Sequence, residues 1–121
     1  MNNSFRIGKD DIIYAVYAGD QTFETVKEAQ RQTETLIKNL RAQKKRALLL
    51  GDVSKMGKQD MAVRKAAYDV FTQMDYDRIA FWGPNYFISG LVNLVTKASG
   101  KASKIRVFRS QEEAKAWLLP L

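Results

Sequence analysis

The chain has no cysteine and no histidine. Without cysteine there is no disulfide framework and no thiolate zinc site, and without histidine the commonest catalytic base and metal ligand is missing. A nucleophile-plus-imidazole mechanism is therefore excluded. No run of about 18 apolar residues occurs, so no integral membrane insertion is expected. No signal-peptide pattern stands at Met1-Asn2-Asn3-Ser4, which makes the cytoplasm the expected location. No linker-like stretch interrupts the sequence either, and residues 1–121, 45% hydrophobic, are read as a single domain. A chain of this size buries roughly two-thirds of its unfolded surface.

What is present is a repeated unit. The apolar runs Ala47-Leu48-Leu49-Leu50, Ile79-Ala80-Phe81-Trp82 and Ile105-Arg106-Val107-Phe108 each end in a small or polar turn and lead into a helical pattern. Successive strand-to-helix units predict an α/β domain with a largely parallel sheet. Ahead of them, Phe5-Arg6-Ile7 and Ile12 to Tyr17 flank the turn formers Gly8-Lys9-Asp10-Asp11 and read as an opening hairpin. Helical periodicity covers residues 21–42 and 59–73, and a third helix is predicted from Asn85, as its cap, to about Ser99, stopped by Gly100. Ser110-Gln111-Glu112-Glu113 is a capping box that opens a short closing helix through Trp117. The predicted order is ββαβαβαβα, with a mixed, mostly parallel five-stranded sheet and four helices.

The net charge of +7 gathers in two stretches without acids: Lys38, Arg41, Lys44, Lys45 and Arg46, then Lys97, Lys101, Lys104, Arg106 and Arg109. Both lie mostly where a helix ends and a strand begins, and cations there offset the helix dipole and its unpaired carbonyls. No nucleic-acid motif accompanies these cations, so the reading is a solvated basic edge, with weak nucleic-acid binding as an alternative and no specific nucleic-acid partner. The acids Asp10, Asp11, Glu24, Glu28, Asp69, Asp75, Asp77, Glu112 and Glu113 fall in turns or on helical faces without pairing for acid–base work. No enzyme, cofactor or metal is expected.

Leu49-Leu50-Gly51-Asp52-Val53, the run Arg78-Ile79-Ala80 leading to Gly83, and Arg106-Val107-Phe108 followed by Glu112-Glu113-Ala114-Lys115-Ala116-Trp117-Leu118 resemble the SpoIIAA-like branch of the STAS-domain proteins. The resemblance covers nearly the whole chain, and its closing segment is the most distinctive part. It implies a compact β/α module, with strands mostly in sequential order, that regulates by binding and does no chemistry. It also implies relatives that antagonise anti-sigma factors and others that hold apolar or anionic ligands, with a small-molecule or lipid carrier of the SEC14-like type as an alternative role.

The signalling members of that family carry a phosphorylated serine at the start of the second helix. Here Gly57-Lys58-Gln59-Asp60 stands in its place, and no Ser or Thr lies between Met56 and Phe71. The usual phospho-switch is therefore not expected. Ser54, nearby at the strand exit, is read as making a local side-chain to backbone bond, and Asp52 as a turn residue, since the other acids and the lysine of a receiver domain are missing. The same turn offers Lys55, Gly57, Lys58 and Gln59 at a helix start, where free backbone donors and the dipole favour an anion.

The third predicted helix is the other anomaly. Tyr86, Phe87, Ile88, Leu91, Val92, Leu94, Val95 and Ala98 cover too much of its circumference for one buried face. Phe87, Leu91, Leu94, Val95 and Ala98 are expected against the sheet, and Ile88 and Val92 towards a partner. Trp82, Gly83, Asn85, Tyr86 and Phe87 complete the expected site. The expected partners are a protein, a second copy of the chain included, or a small apolar or anionic ligand.

Overall fold

A computed structural model describes residues 2–83, 85–99 and 104–119. Nine elements follow in order: β1 (Ser4–Ile7), β2 (Ile13–Val16), α1 (Phe23–Ala42), β3 (Leu48–Asp52), α2 (Met61–Gln73), β4 (Arg78–Trp82), α3 (Tyr86–Ser99), β5 (Ile105–Phe108) and α4 (Gln111–Leu118). The strands form one sheet in the order β1-β2-β3-β4-β5. β1 is antiparallel to β2 and the other neighbours are parallel. Gly100, expected to end α3, lies outside the described residues.

Sequential strand order and right-handed crossovers require every connecting helix to lie on one face of the sheet. Accordingly α1, α2 and α3 share a core with Ile13, Leu49, Ile79, Phe81 and Ile105. Side chains alternate along a strand, so Ile12, Leu48, Leu50 and Ala80 point the other way, where α4 supplies Ala114 and Leu118. Both faces of β3 and β4 are thus buried over most of their length, which explains their unbroken apolar runs.

Local chemistry places the helix starts. α1 opens with a reciprocal cap that the sequence reading did not anticipate: Thr25 Oγ1 accepts from the Thr22 amide at 2.8 Å and Thr22 Oγ1 from the Thr25 amide at 3.2 Å. α2 is capped by Asp60, whose Oδ1 accepts from the Val63 amide at 3.0 Å, and α3 by Asn85, whose Oδ1 accepts from the Ile88 amide at 3.1 Å. At α4 the expected capping box is half made. Ser110 Oγ accepts from the Glu113 amide at 3.2 Å, but the Glu113 carboxylate meets the Ser110 hydroxyl rather than its amide.

The basic edge is partly neutralised by acids that are distant in sequence. Arg41 pairs with Asp77 at 2.8 Å and with Asp75 at 3.5 Å, and Lys45 with Asp11 at 3.1 Å. Arg78 and Arg106 lie over the Trp117 ring at 4.8 and 5.5 Å, which accounts for that tryptophan in the closing helix. Lys38, Lys44, Lys97, Lys104 and Arg109 remain exposed, while Lys101 lies outside the described residues.

Candidate functional site

The loop entering α2 was expected to hold an anion, and its geometry argues otherwise. The Gly57 amide donates to Gly19 O at 2.7 Å, the Lys58 amide to Asp20 Oδ1 at 2.8 Å, and the Gly19 amide to Lys55 O at 2.9 Å. A Cβ at Gly57 would collide with Asp20 Oδ1, so the residue is tied to that carboxylate's close approach. With Asp60 on the helix start and Asp20 on the loop, the donors already face carboxylates, and a second anion would meet repulsion. Asp20, 38 residues from Lys58 in sequence, carries no local signal of this role. Lys55 and Lys58 are exposed. Ser54 donates its amide and hydroxyl to Asp52 Oδ1 at 2.9 and 2.6 Å; its hydroxyl thus meets a neighbouring carboxylate rather than the backbone group expected.

The facing of α3 also differs from the expectation. Ile88, Leu91, Val92 and Val95 are buried, with Val92 7% exposed, and all four belong to the core of the helical layer. Leu94, expected against the sheet, is 59% exposed. At 100° per residue, positions 88, 91, 92 and 95 share an arc of roughly 100°, whereas 94 lies beyond its edge. Ile88 and Val92 therefore contribute packing and are not available to a partner. The side chain of Ala98 lies outside the description.

Trp82 was grouped with Tyr86 and Phe87, and the sheet separates them. Phe81 points into the helical layer, so its neighbour Trp82 points to the opposite face, beside Tyr14, Phe108 and Trp117. Gly83 joins neither group. It is buried at φ +113°, and a Cβ there would come within 2.8 Å of the Ser54 amide nitrogen, which makes it a turn residue at a close backbone approach.

What remains together is a groove of about 530 Å³ between the start of α2 and the outer side of α3, bounded by Gln59, Arg64, Tyr86, Phe87, Leu91 and Leu94. Gly90 forms a notch in it, since a Cβ there would meet nothing within 4 Å. Tyr86 is 98% exposed and Met61, one turn before Arg64 on the same side of α2, is 75% exposed. The Arg64 guanidinium lies 6.0 Å from the Phe87 ring centre. Gln59 Oε1 is buried without a hydrogen-bond partner among the described residues, leaving an unmatched acceptor beside the groove. On the inner side of the same layer, a cavity of about 40 Å³ lies among Tyr17, Ala29, Thr33, Met56, Phe71 and Phe81. Burial pushes the Tyr17 phenol well above its ordinary value, so it stays neutral. No cluster of metal-ligating side chains occurs among the described residues.

The family model of SpoIIAA-like proteins matches residues 12–119. The chain belongs to the SpoIIAA-like family. This family of regulatory and binding modules shares the STAS-type β/α fold. One similar solved structure is an uncharacterised protein with a SpoIIAA-like fold from Shewanella loihica, 13% identical, with a TM-score of 0.66 over 96% of this chain and 91% of that one. Another is the anti-sigma factor antagonist SpoIIAA in its unphosphorylated form, 9% identical, with a TM-score of 0.57 over 98% of this chain and 99% of that one. At these identities the two structures show the fold alone. Comparison with curated proteins returned no match. No helix among the described residues of this SpoIIAA-like chain is long and apolar enough to cross a membrane.

Proposed function

We propose that this SpoIIAA-like protein is a non-enzymatic docking module that engages a partner protein at the groove between α2 and α3. The observation that carries this reading is the concentration of exposed apolar side chains there. Tyr86 and Leu94, which line the groove, and Met61, one turn from its Arg64 on α2, are three of the five large hydrophobic residues exposed among the described ones. Apolar groups gathered in this way on a soluble domain mark an interaction surface more often than chance exposure does. Arg64 in the groove, with Lys58 and Lys97 exposed on the same two helices' flanks, suits a partner surface that is apolar at its centre and acidic at its rim. The similar anti-sigma factor antagonist SpoIIAA is, by its name, a protein that acts on another protein, which supports the same mode of action here. With Gln59 near the helix start, control by a phosphoserine at that position is not part of the proposal.

The test is site-specific photo-crosslinking from positions 86 and 94 in the native host, with exposed Phe23 on α1 as the control position. The reading expects one protein, a second copy of this chain included, captured from 86 and 94 but not from 23. Equal capture from all three positions, or none, contradicts it. A small apolar ligand is the second reading, and the 40 Å³ cavity supports it. That volume holds a water or two or a small apolar group, so an apolar adduct in native mass spectra would mark it.

A further inference from the structure

The second face of the sheet carries a site of different chemistry. α4 has only eight residues and packs on β3, β4 and β5. The same face of β1 and β2, with the carboxyl end of β3, is left open as a groove of about 340 Å³. Register places Arg6, Tyr14 and Leu50 in one row across this face, and Ser4, Val16, Asp52 and Trp82 in the next.

Two opposite charges border the groove, and neither forms an ion pair among the described residues. Arg6 stacks on the Tyr14 ring, 4.6 Å from its centre, and has no carboxylate partner among the described residues. Among the described residues Asp52 pairs with no cation; one of its oxygens accepts from Ser54 and the other has no partner. Both side chains are held by other contacts, which keeps them apart. They lie two strands and one row from each other, about 12 Å between Cα atoms by ordinary sheet spacing. Val16 lies between them and Trp82 beside Asp52 on its far side; both are half-buried and give the groove an apolar floor, and the Trp82 indole N–H has no acceptor among the described residues. The neighbouring cation Lys115 is already engaged with Asp10 at 3.1 Å, so among the described residues that line the groove Arg6 is the cation without a carboxylate.

A molecule that satisfies both charges must carry a carboxylate and an ammonium a few ångströms apart. We infer that this groove binds a free α-amino acid with an apolar side chain. Its carboxylate meets the planar fork of Arg6, its ammonium meets the open oxygen of Asp52, and its side chain lies on Val16 and Trp82. The site is on the opposite side of the sheet from the α2–α3 groove, so it stands or falls separately from the docking reading.

The experiment is isothermal calorimetry and thermal unfolding of the full chain with 10 mM leucine or phenylalanine. N-acetylleucine, which lacks the ammonium, and leucinamide, which lacks the carboxylate, serve as probes. Saturable binding of the free amino acids, weakened at least tenfold in both derivatives, is the expected result. Arg6→Gln should abolish the preference for leucine over leucinamide, and Asp52→Asn the preference for leucine over N-acetylleucine. Asp52→Asn keeps the shape and reach of the side chain, and the amide oxygen it introduces can still accept from Ser54; Arg6→Gln removes the charge and the guanidinium fork together. No heat and no rise in midpoint with either amino acid would overturn the inference, as would equal binding by the wild type and the Arg6→Gln/Asp52→Asn double variant.

Discussion

The facing of α3 decides which residues are available to a partner, and the pair Val92→Ala and Leu94→Ala tests it. Val92 is 7% exposed within the core of the helical layer, and Leu94 is 59% exposed on the groove side. Removing two buried methyl groups at Val92 forfeits about 1.6 kcal/mol of transfer free energy, and incomplete collapse of the space brings the loss to about 2 kcal/mol. For 121 residues, the unfolding entropy at the midpoint is about 0.25 kcal/mol/K, so that loss lowers the midpoint by about 8 °C. Leu94→Ala removes more atoms but mostly from solvent, and should stay within about 0.5 kcal/mol, or 2 °C. Val92→Lys is the harsher form, placing an unpaired charge in an apolar interior. Differential scanning calorimetry of both alanine variants at one pH is the assay. Equal shifts, or the larger one at Leu94, would refute the assigned facing of α3.

Three further outcomes follow from the geometry. Burial alone would raise the Asp77 carboxyl, yet bonds from the Ala47 amide at 2.7 Å and from Arg41 at 2.8 Å hold it below its ordinary value of 3.8. Because the folded value is the depressed one, its stabilisation is complete above about pH 4 and is lost as pH falls through the folded value. Asp77→Asn should flatten this acid limb in urea titrations, and Asp77→Ala should cost about 1–3 kcal/mol at pH 7 by leaving the Ala47 donor unmatched. An unchanged acid limb in Asp77→Asn would contradict the assignment. Gly83→Ala combines φ +113° with a 2.8 Å approach to Ser54 and should cost about 1–3 kcal/mol or more, read as a shifted urea midpoint; a neutral change would remove the turn role. The basic edge should bind duplex DNA only non-specifically, with Kd about 10⁻⁴ to 10⁻⁶ M at physiological salt and a steep salt dependence, and nanomolar sequence-dependent binding in a filter assay would reject it.

Much of the architecture was legible because period and punctuation agree. Residues 78–82 were read to the residue, and α2 and β3 within two residues at each end. The family could be recognised from the same structural positions. The site was less legible, for three physical reasons. On α3 so many residues are apolar that two stripes fit the 3.6 period, and packing against α2 and β5 selects the one through Ile88, Leu91, Val92 and Val95. Trp82 and Tyr86 are close in sequence, but alternation along β4 sends Trp82 through to the face opposite Phe81. At the α2 entry, the residue that closes the anion site is Asp20, brought from the β2–α1 loop by the parallel pairing of β2 with β3. Exposed Tyr86 was placed in the expected site by its sequence, whereas the groove beside it became visible only with Gln59, Arg64 and Leu94 in place.

The claim that the α2–α3 groove is a docking surface is tested most directly by affinity. The protein captured from positions 86 and 94 is purified, and its Kd for the wild-type chain is compared with those for Tyr86→Ala, Leu94→Lys and the control Phe23→Ala, after circular dichroism has shown all of them folded. Central apolar anchors of an interface each cost about 2 kcal/mol or more when removed, roughly a 30-fold rise in Kd. The account predicts such a rise for Tyr86→Ala and Leu94→Lys and none for Phe23→Ala. Unchanged affinity in both groove variants would contradict it.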